Sequence, residues 1–310
     1  MQYNHHHLAD NTPYVATIGF FDGVHRGHQY LISRLMEQAA AAGMPSMVIT
    51  FDRHPREVLG SNYQPRMLST LSEKLQRLRQ TGVDRCEVLS FTPQLAALTA
   101  REFMQHVLKE QLNVGKLYIG YDNRFGHNRE EGFDDYVRYG REMGIEVIHN
   151  DAFQLNQVNI SSSVVRSFLD EGEVELANQC LGYNYTVEGG VVDGVHEGRK
   201  MGFPTANIEP SYALKLIPAP GVYAVKVRVE GTDEWLSGMM NIGTRPTFGE
   251  NKLSLEVHIL HFSGNLYGRT LAVSFVKRLR AERRFSSPSA LRNQLIRDEQ
   301  AVEELFAEAE

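Results

Sequence analysis

Residues 16–32 read ATIGFFDGVHRGHQYLI, and the parsing of this stretch decides the fold. The β-branched, apolar run up to Ile18 has the composition of a strand, and Leu31 and Ile32 open the apolar face of a helix. Three glycines (Gly19, Gly23 and Gly27), Asp22, His25 and His28 fill the junction between them. A strand ending at Gly19-Phe20 and a helix starting near Gly27-His28 offer backbone N–H groups and a positive dipole end to an anion. The glycines let a ligand approach the main chain closely. His25 and His28 are three residues apart, so both rings can lie on one side of the first turn and donate hydrogen bonds to phosphate oxygens without a metal. Taken alone, the string reads equally well as a Gly-rich turn with two surface histidines; the strand and helix around it favour the anion site.

Outward from this junction, short runs alternate with amphipathic segments. YVATIGF (14–20), SMVITF (46–51), VDRCEVLSF (83–91), KLYIGY (116–121) and IEVIHN (145–150) predict strands, with a helix over about His28–Ala42 stopped by Gly43-Met44-Pro45. Another helix opens on Thr99-Ala100-Arg101-Glu102, a capping box, with Phe103, Val107 and Leu108 on one face. Near-continuous apolar strands in β-α order predict an α/β, doubly wound parallel sheet covered on both faces. After about Leu181 the rhythm changes to short alternating runs punctuated by glycine, YTVEGGVV, GVYAVKVRV, LSLEVHIL and LAVSFVKRL, with no long helical pattern until about Ser287. That spacing predicts a small antiparallel β-barrel closed by a C-terminal helix, and two domains, 1–182 and 183–310.

Composition narrows the function classes. The chain has 310 residues, 42% of them hydrophobic, and a formal net charge of −6, which provides a core but no general electrostatic footprint for nucleic acid or an anionic membrane surface. No run approaches the ~20 apolar residues of a membrane span and no leader pattern opens the sequence. Cys86 and Cys180 fit neither a metal knuckle nor a disulfide framework, so a reducing cytoplasm is expected. The His5–His7 run, lacking partner ligands at useful spacing, is expected to be a mobile tail.

Two more strings carry chemistry. ISSSVVR (160–166) sets Ser161, Ser162 and Ser163 at a helix start with Arg166 one turn in, where hydroxyls, N–H groups and a guanidinium can meet one anion; an ordinary serine cap with a solvated arginine is the plainer alternative. EGRKMGFPTANI (197–208) combines Gly198 and Gly202, the cations Arg199 and Lys200, a stiffening Pro204, and Thr205 and Asn207 on one side of an extended segment. Their oxygens beside phosphates suit Mg²⁺, although a Gly/Pro turn entering a strand explains the string as simply. In LEVHIL, alternation separates Glu256 and His258 from Leu255, Val257 and Ile259, which by itself makes Glu256 a solvated carboxylate. Neither a GxxxxGK[ST] loop nor a GxGxxG fingerprint occurs.

GFFDGVHRGH (19–28) resembles the signature of nucleotidylyltransferases, in particular the adenylating half of prokaryotic bifunctional riboflavin kinase/FAD synthetases. TFDRHPREVL (50–59), GYDNRFG (120–126) and ISSSVVRSFL (160–169) are similar to further strings of that family, and GRKMGFPTANI, GVYA at Gly221 and NIGTRPTFG at Asn241 to its kinase half. Asn123 stands where an aromatic is common and Ser163 where threonine is. The resemblance implies a nucleotidylyltransferase domain followed by a riboflavin kinase barrel, with ATP as co-substrate and Mg²⁺. It implies that His25 and His28 stabilise phosphate charge, helped by Gly19, Phe20, Asp22, Gly23 and Gly27. Ser162, Ser163 and Arg166 would hold the β and γ phosphates, and Asp122 and Arg124 would order the nucleotide or flavin. In the kinase half Gly198, Gly202 and Pro204 would bind ATP, Thr205 and Asn207 the metal, and Glu256 would be the general base on riboflavin. A flavin or nucleotide sensor without turnover, and an adenylyltransferase for another phosphorylated substrate, are the competing readings.

Overall fold

A computed structural model of the chain describes residues 3–4, 12–58, 66–120, 124–127, 130–150, 153–155, 158–193, 198, 201–247 and 250–308. By its contacts the chain divides into two units, Met1–Ser162 and Ser163–Glu310. The His5–His7 run, Asp122, Asn123, Arg199 and Lys200 lie outside the described residues.

The first unit is built on strands β1 (Tyr3–Asn4), β2 (Tyr14–Ile18), β3 (Ser46–Phe51), β4 (Arg85–Leu89), β5 (Val114–Ile119) and β6 (Glu146–His149), in the order β1-β4-β3-β2-β5-β6. From β2 to β6 all pairings are parallel, and β1 adds an antiparallel edge. The order runs outward from β2 to β4, then returns to the other side of β2, so the topology reverses beside β2. Open α/β sheets bind ligands in the crevice at such a reversal, outside the carboxyl ends of the strands.

Alternation sends successive side chains to opposite faces. On one, Val15, Val48 and Cys86 pack with Leu31, Ile32 and Leu35 of α1 (Arg26–Ala42). After the single turn α2 (Pro55–Val58), α3 (Leu71–Gln80), opened by a Thr70/Glu73 capping box, adds Leu78 to the same cluster. On the other face, Ala16, Ile18, Met47 and Ile49 meet Phe103, Met104, Val107 and Leu108. These four belong to a segment that follows the turns α4 (Pro93–Ala96) and α5 (Ala100–Glu102); the expected capping box is present, but Phe103–Gln111 winds as a π-helix, with the Leu112 N–H reaching Val107 O. Helix α6 (Phe133–Met143) completes this layer.

Beyond the small hairpin β7 (Gln154–Leu155) and β8 (Val158–Asn159), α7 (Ser162–Glu171) and α8 (Val174–Leu181) precede the barrel. Except for Ser162, both helices belong by contacts to the second unit, where Ala219 N–H donates to Leu169 O and Asn178 Nδ2 to Phe275 O. Six antiparallel strands then close on themselves in the order β10-β13-β12-β11-β14-β9: β9 (Thr186–Val192), β10 (Ala206–Pro210), β11 (Gly221–Val229), β12 (Leu236–Thr247), β13 (Glu250–Ile259) and β14 (Thr270–Arg280). Tyr223, Val225, Met240, Ile242, Val257 and Phe275 are buried in the barrel's core. Helix α9 (Pro288–Ala307), capped by Ser287, lays Val302 and Phe306 on Ala224, Met239 and Leu260.

Candidate functional site

The β2–α1 junction is more constrained than its sequence suggests. Phe21, Gly23 and Val24 all have positive φ (55°, 75° and 39°). Glycine tolerates this; for phenylalanine and β-branched valine it costs on the order of 1–3 kcal/mol each and persists only where surroundings impose it. Those surroundings are visible. The Asp22 carboxylate, 3% exposed, accepts from Leu68 N–H, Ser69 N–H and Ser69 Oγ at 3.0–3.1 Å. Gly23 N–H donates to Ser69 Oγ, and Ser162 Oγ donates to Asp22 O, both at 3.0 Å. Asp22 is thus a buttress that bolts the turn from beneath, with its charge consumed by backbone and hydroxyl donors.

Helix α1 begins at Arg26, two residues earlier than the sequence predicts, because His25 takes the capping position usually held by Ser, Thr, Asp or Asn. Its Nδ1 accepts the His28 N–H at 3.3 Å, which puts the ring proton on Nε2 and leaves Nε2 a donor. The His25 and His28 rings stack with centroids 3.6 Å apart and 21° between planes. His28 Nδ1 is buried with no hydrogen-bond partner among the described residues. Burial, then the adjacent His25 and Lys74, holds the His28 pKa well below its ordinary value, so the ring is neutral at pH 7. Gly27 is obligatory for packing: a Cβ there would lie 2.9 Å from Ile160 O and 3.1 Å from the His25 ring. Together with the unbonded N–H groups of a helix start, these donors form an anion cradle at the sheet's topological reversal.

Sequence reasoning missed Lys74. It reads as one of several surface cations in SEKLQRLR, yet it is 3% exposed, and its Nζ donates to Phe20 O (3.0 Å) and Phe51 O (2.8 Å). Ser163 is exposed, while Arg166 and Ser162 are half-buried on the first turns of α7. Arg124 is exposed, beside a Phe125 ring that stacks on Tyr136 at 4.3 Å.

The second cluster is assembled by strand register. Glu256 on β13 stands opposite Asn207 on β10 and opposite Asn241 on β12, so the three side chains share one face of the barrel, with Cβ atoms roughly 4.5–5.5 Å apart across each pair. That face is not the open solvent alternation suggested: Glu256 is half-buried, and His258, two residues on, is 7% exposed and faces Glu299 of α9 at 3.7 Å. His258 Nδ1 donates to Pro204 O at 2.8 Å. Phe203 is sunk in the cluster under α9, its N–H bonded to Gly198 O at 2.9 Å. A Cβ on Gly198 would strike Phe203 O, and Gly202 turns the chain at φ 88°. Phe203 and His258 therefore hold Pro204 where the chain enters β10, whose register sets Asn207 beside Glu256. Asn241 was visible only as part of a string; the register reveals its place.

Among the described residues no helix is long and apolar enough to cross a membrane, and no group of three or more His, Cys, Asp or Glu could hold a metal ion. Cys86 and Cys180 are buried thiols outside any disulfide, and burial pushes the Cys86 thiol up to about 12.

Two family models match the chain: FAD synthetase over residues 7–164 and riboflavin kinase over residues 181–306. The bifunctional riboflavin kinase/FMN adenylyltransferase of Escherichia coli (strain K12) is 40% identical over 94% of this chain and 92% of its own. That of Pseudomonas fluorescens is 39% identical over 94% and 93%. Among solved structures, the crystal structure of a macrolide-efflux protein from Streptococcus pneumoniae superposes with a TM-score of 0.86 at 30% identity over 95% of both chains. With both family models matched in order and near full-length likeness to these enzymes, the chain belongs to the bacterial bifunctional riboflavin kinase/FMN adenylyltransferase family.

Proposed function

We propose that residues 1–182 adenylylate FMN at the Gly19–His28 turn and that residues 183–310 phosphorylate riboflavin at the barrel face around Glu256. The chain is a flavin-cofactor-forming transferase that uses ATP in both steps. The observation that carries the assignment is the stacked histidine pair at the switch point, with His28 kept neutral by burial and the Asp22 carboxylate occupied by backbone and hydroxyl donors.

In adenylyl transfer, a phosphate oxygen of FMN attacks the α-phosphorus of ATP as the bond to the β-phosphate oxygen breaks, and pyrophosphate leaves. No covalent enzyme intermediate is required, since positioning and charge stabilisation supply the rate. His25 Nε2–H and His28 donate to the phosphate oxygens, along with main-chain N–H groups from Gly19 to Gly27. Phe20 and Gly23 shape the turn, and Asp22 and Ser162 hold it from behind. Ser163 and Arg166 take the β and γ phosphates, and Arg124 with Asp122 the nucleotide or flavin, as the resemblance implies.

In the kinase reaction, Glu256 accepts the proton of the ribityl hydroxyl while its oxygen attacks the γ-phosphorus and ADP departs. Gly198, Gly202 and Pro204 form the loop over the phosphates. Asn207 presents an oxygen donor beside the Glu256 carboxylate and Thr205 adds a hydroxyl two residues earlier, a set that suits a hard cation with few protein ligands, and they would hold Mg²⁺. Such an ion would neutralise phosphate charge. Buried thiols outside any disulfide suit a reducing, cytoplasmic setting.

Incubating the purified chain with riboflavin, ATP and Mg²⁺ and separating the flavins tests the partition. His28→Ala should accumulate FMN and form FAD only slowly; loss of both products, or of neither, overturns it.

A further inference from the structure

A lysine buried in the first unit is chemically odd enough to need a reason. Taking an ammonium out of water is expensive, and among the described residues no carboxylate makes an ion pair with it. Lys74 instead spans two strand ends: Phe20 O follows β2, Phe51 O ends β3, and the Phe20 ring lies 4.1 Å from Nζ as a cation–π partner. Thr50 Oγ1 donates to the same Phe20 O at 3.1 Å. Phe20 is therefore the residue that two buried donors hold, and it is the second residue of the GFFDGVHRGH string.

The geometry points to Lys74 as a positioning residue for adenylyl transfer, acting through the Phe20 peptide and through His28. This rests on the reading of the histidine turn as the adenylylation site. A carbonyl at the end of a strand, left facing the crevice, would repel phosphate. With Lys74 and Thr50 drawing that oxygen down, the trans peptide sends the Phe21 N–H the opposite way, and this N–H donates to no protein atom among the described residues. The same ammonium raises the positive potential at His28 and helps to keep that ring neutral. Around Lys74 stand Asp22 from the turn, Asp52 after β3, Cys86 on β4 and His28 on α1. Burial, which outweighs the attraction of Asp22, Cys86 and Asp52, lowers the Lys74 pKa to about 8. The group is thus charged at pH 7 and loses its charge in mild alkali.

The test uses the full chain with Lys74→Met and Lys74→Gln, the latter keeping a donor for the carbonyls without the charge. Three readouts are combined: FAD formation from supplied FMN and ATP, FMN formation from riboflavin as a folding control, and the NMR titration of His28. Lys74→Met should lower kcat for FAD formation about 100-fold and leave FMN formation within about twofold, with Lys74→Gln intermediate. The wild-type rate should fall above pH about 8, both variants should lack that alkaline limb, and His28 should titrate at higher pH in both. A variant that makes FMN normally but keeps the wild-type kcat for FAD, retains the alkaline limb, or leaves the His28 titration unmoved overturns the role. If His28→Ala makes FAD at the wild-type rate, the reading of the site has failed instead, a result separable because the His28 titration reports on Lys74 whatever the activity.

Discussion

The two regions proposed to handle phosphate are built by opposite means. The β2–α1 turn is irregular: three of its residues have left-handed backbone, and long-range bonds to Leu68, Ser69 and Ser162 hold it in that shape. The barrel face is regular, and Asn207, Glu256 and Asn241 meet because antiparallel register puts them abreast. A strained turn aims backbone N–H donors at an anion, which regular structure has already consumed in its ladders. A ladder aims side-chain oxygens, which suits a proton acceptor and a cation. One site is therefore sensitive to backbone and buttress, the other to the identity of a few outward side chains.

The largest effect should come from Glu256→Gln. It leaves the strand pairing intact while removing the proton acceptor, so kcat for riboflavin phosphorylation should fall on the order of 10³-fold, with supplied FMN still converted to FAD. Survival of phosphorylation would break the contrast on the barrel side. His28→Ala should cost FAD formation on the order of 10²–10³-fold, with FMN formation within about twofold, measured on the same preparations. Gly27→Ala sharpens the contrast: the added methyl must push Ile160 O or the His25 ring, so adenylylation should fall about 10-fold with all side-chain donors still present. If that variant is fully active, the turn is not held as rigidly as its contacts imply.

The smallest effect is a pH dependence of stability. His28 has its folded pKa depressed, so below about pH 6.5 the unfolded chain binds a proton that the native ring refuses. Its contribution is complete above that pH and is lost as the pH falls toward the folded value, by up to about 1.4 kcal/mol between pH 7.5 and 5.5. Urea midpoints at these two pH values should differ less in His28→Asn than in the wild type.

Most of the architecture was legible in the sequence because it is written locally. Strand runs such as SMVITF and GVYAVKVRV coincide with β3 and β11, and Ser287 caps the terminal helix where the pattern starts. What escaped was non-local. Lys74 meets Phe20 across 54 positions and Asp22 meets Ser69 across 47, and neither pairing leaves a periodic trace. The Asn207–Glu256–Asn241 alignment needs a register that alternation cannot supply. Glu256 was expected in open water because strand alternation cannot foresee that α9 will cover His258 on the same face. His25 was misplaced for a chemical reason: imidazole is an unusual cap, so the helix was expected to begin after it.

That cap has an evolutionary corollary. Serine, threonine, asparagine or aspartate would each satisfy α1 at residue 25, and most substitutions from that set would serve the helix well. None carries a second donor across the width of a ring, on the far side from the capping atom. Because one imidazole closes the helix with Nδ1 and keeps Nε2–H as a second donor, folding and the proposed phosphate chemistry draw on the same side chain. On the proposed mechanism, residue 25 has almost no neutral neighbourhood in sequence space, and a lineage that drifted there toward a better helix would surrender adenylyl transfer.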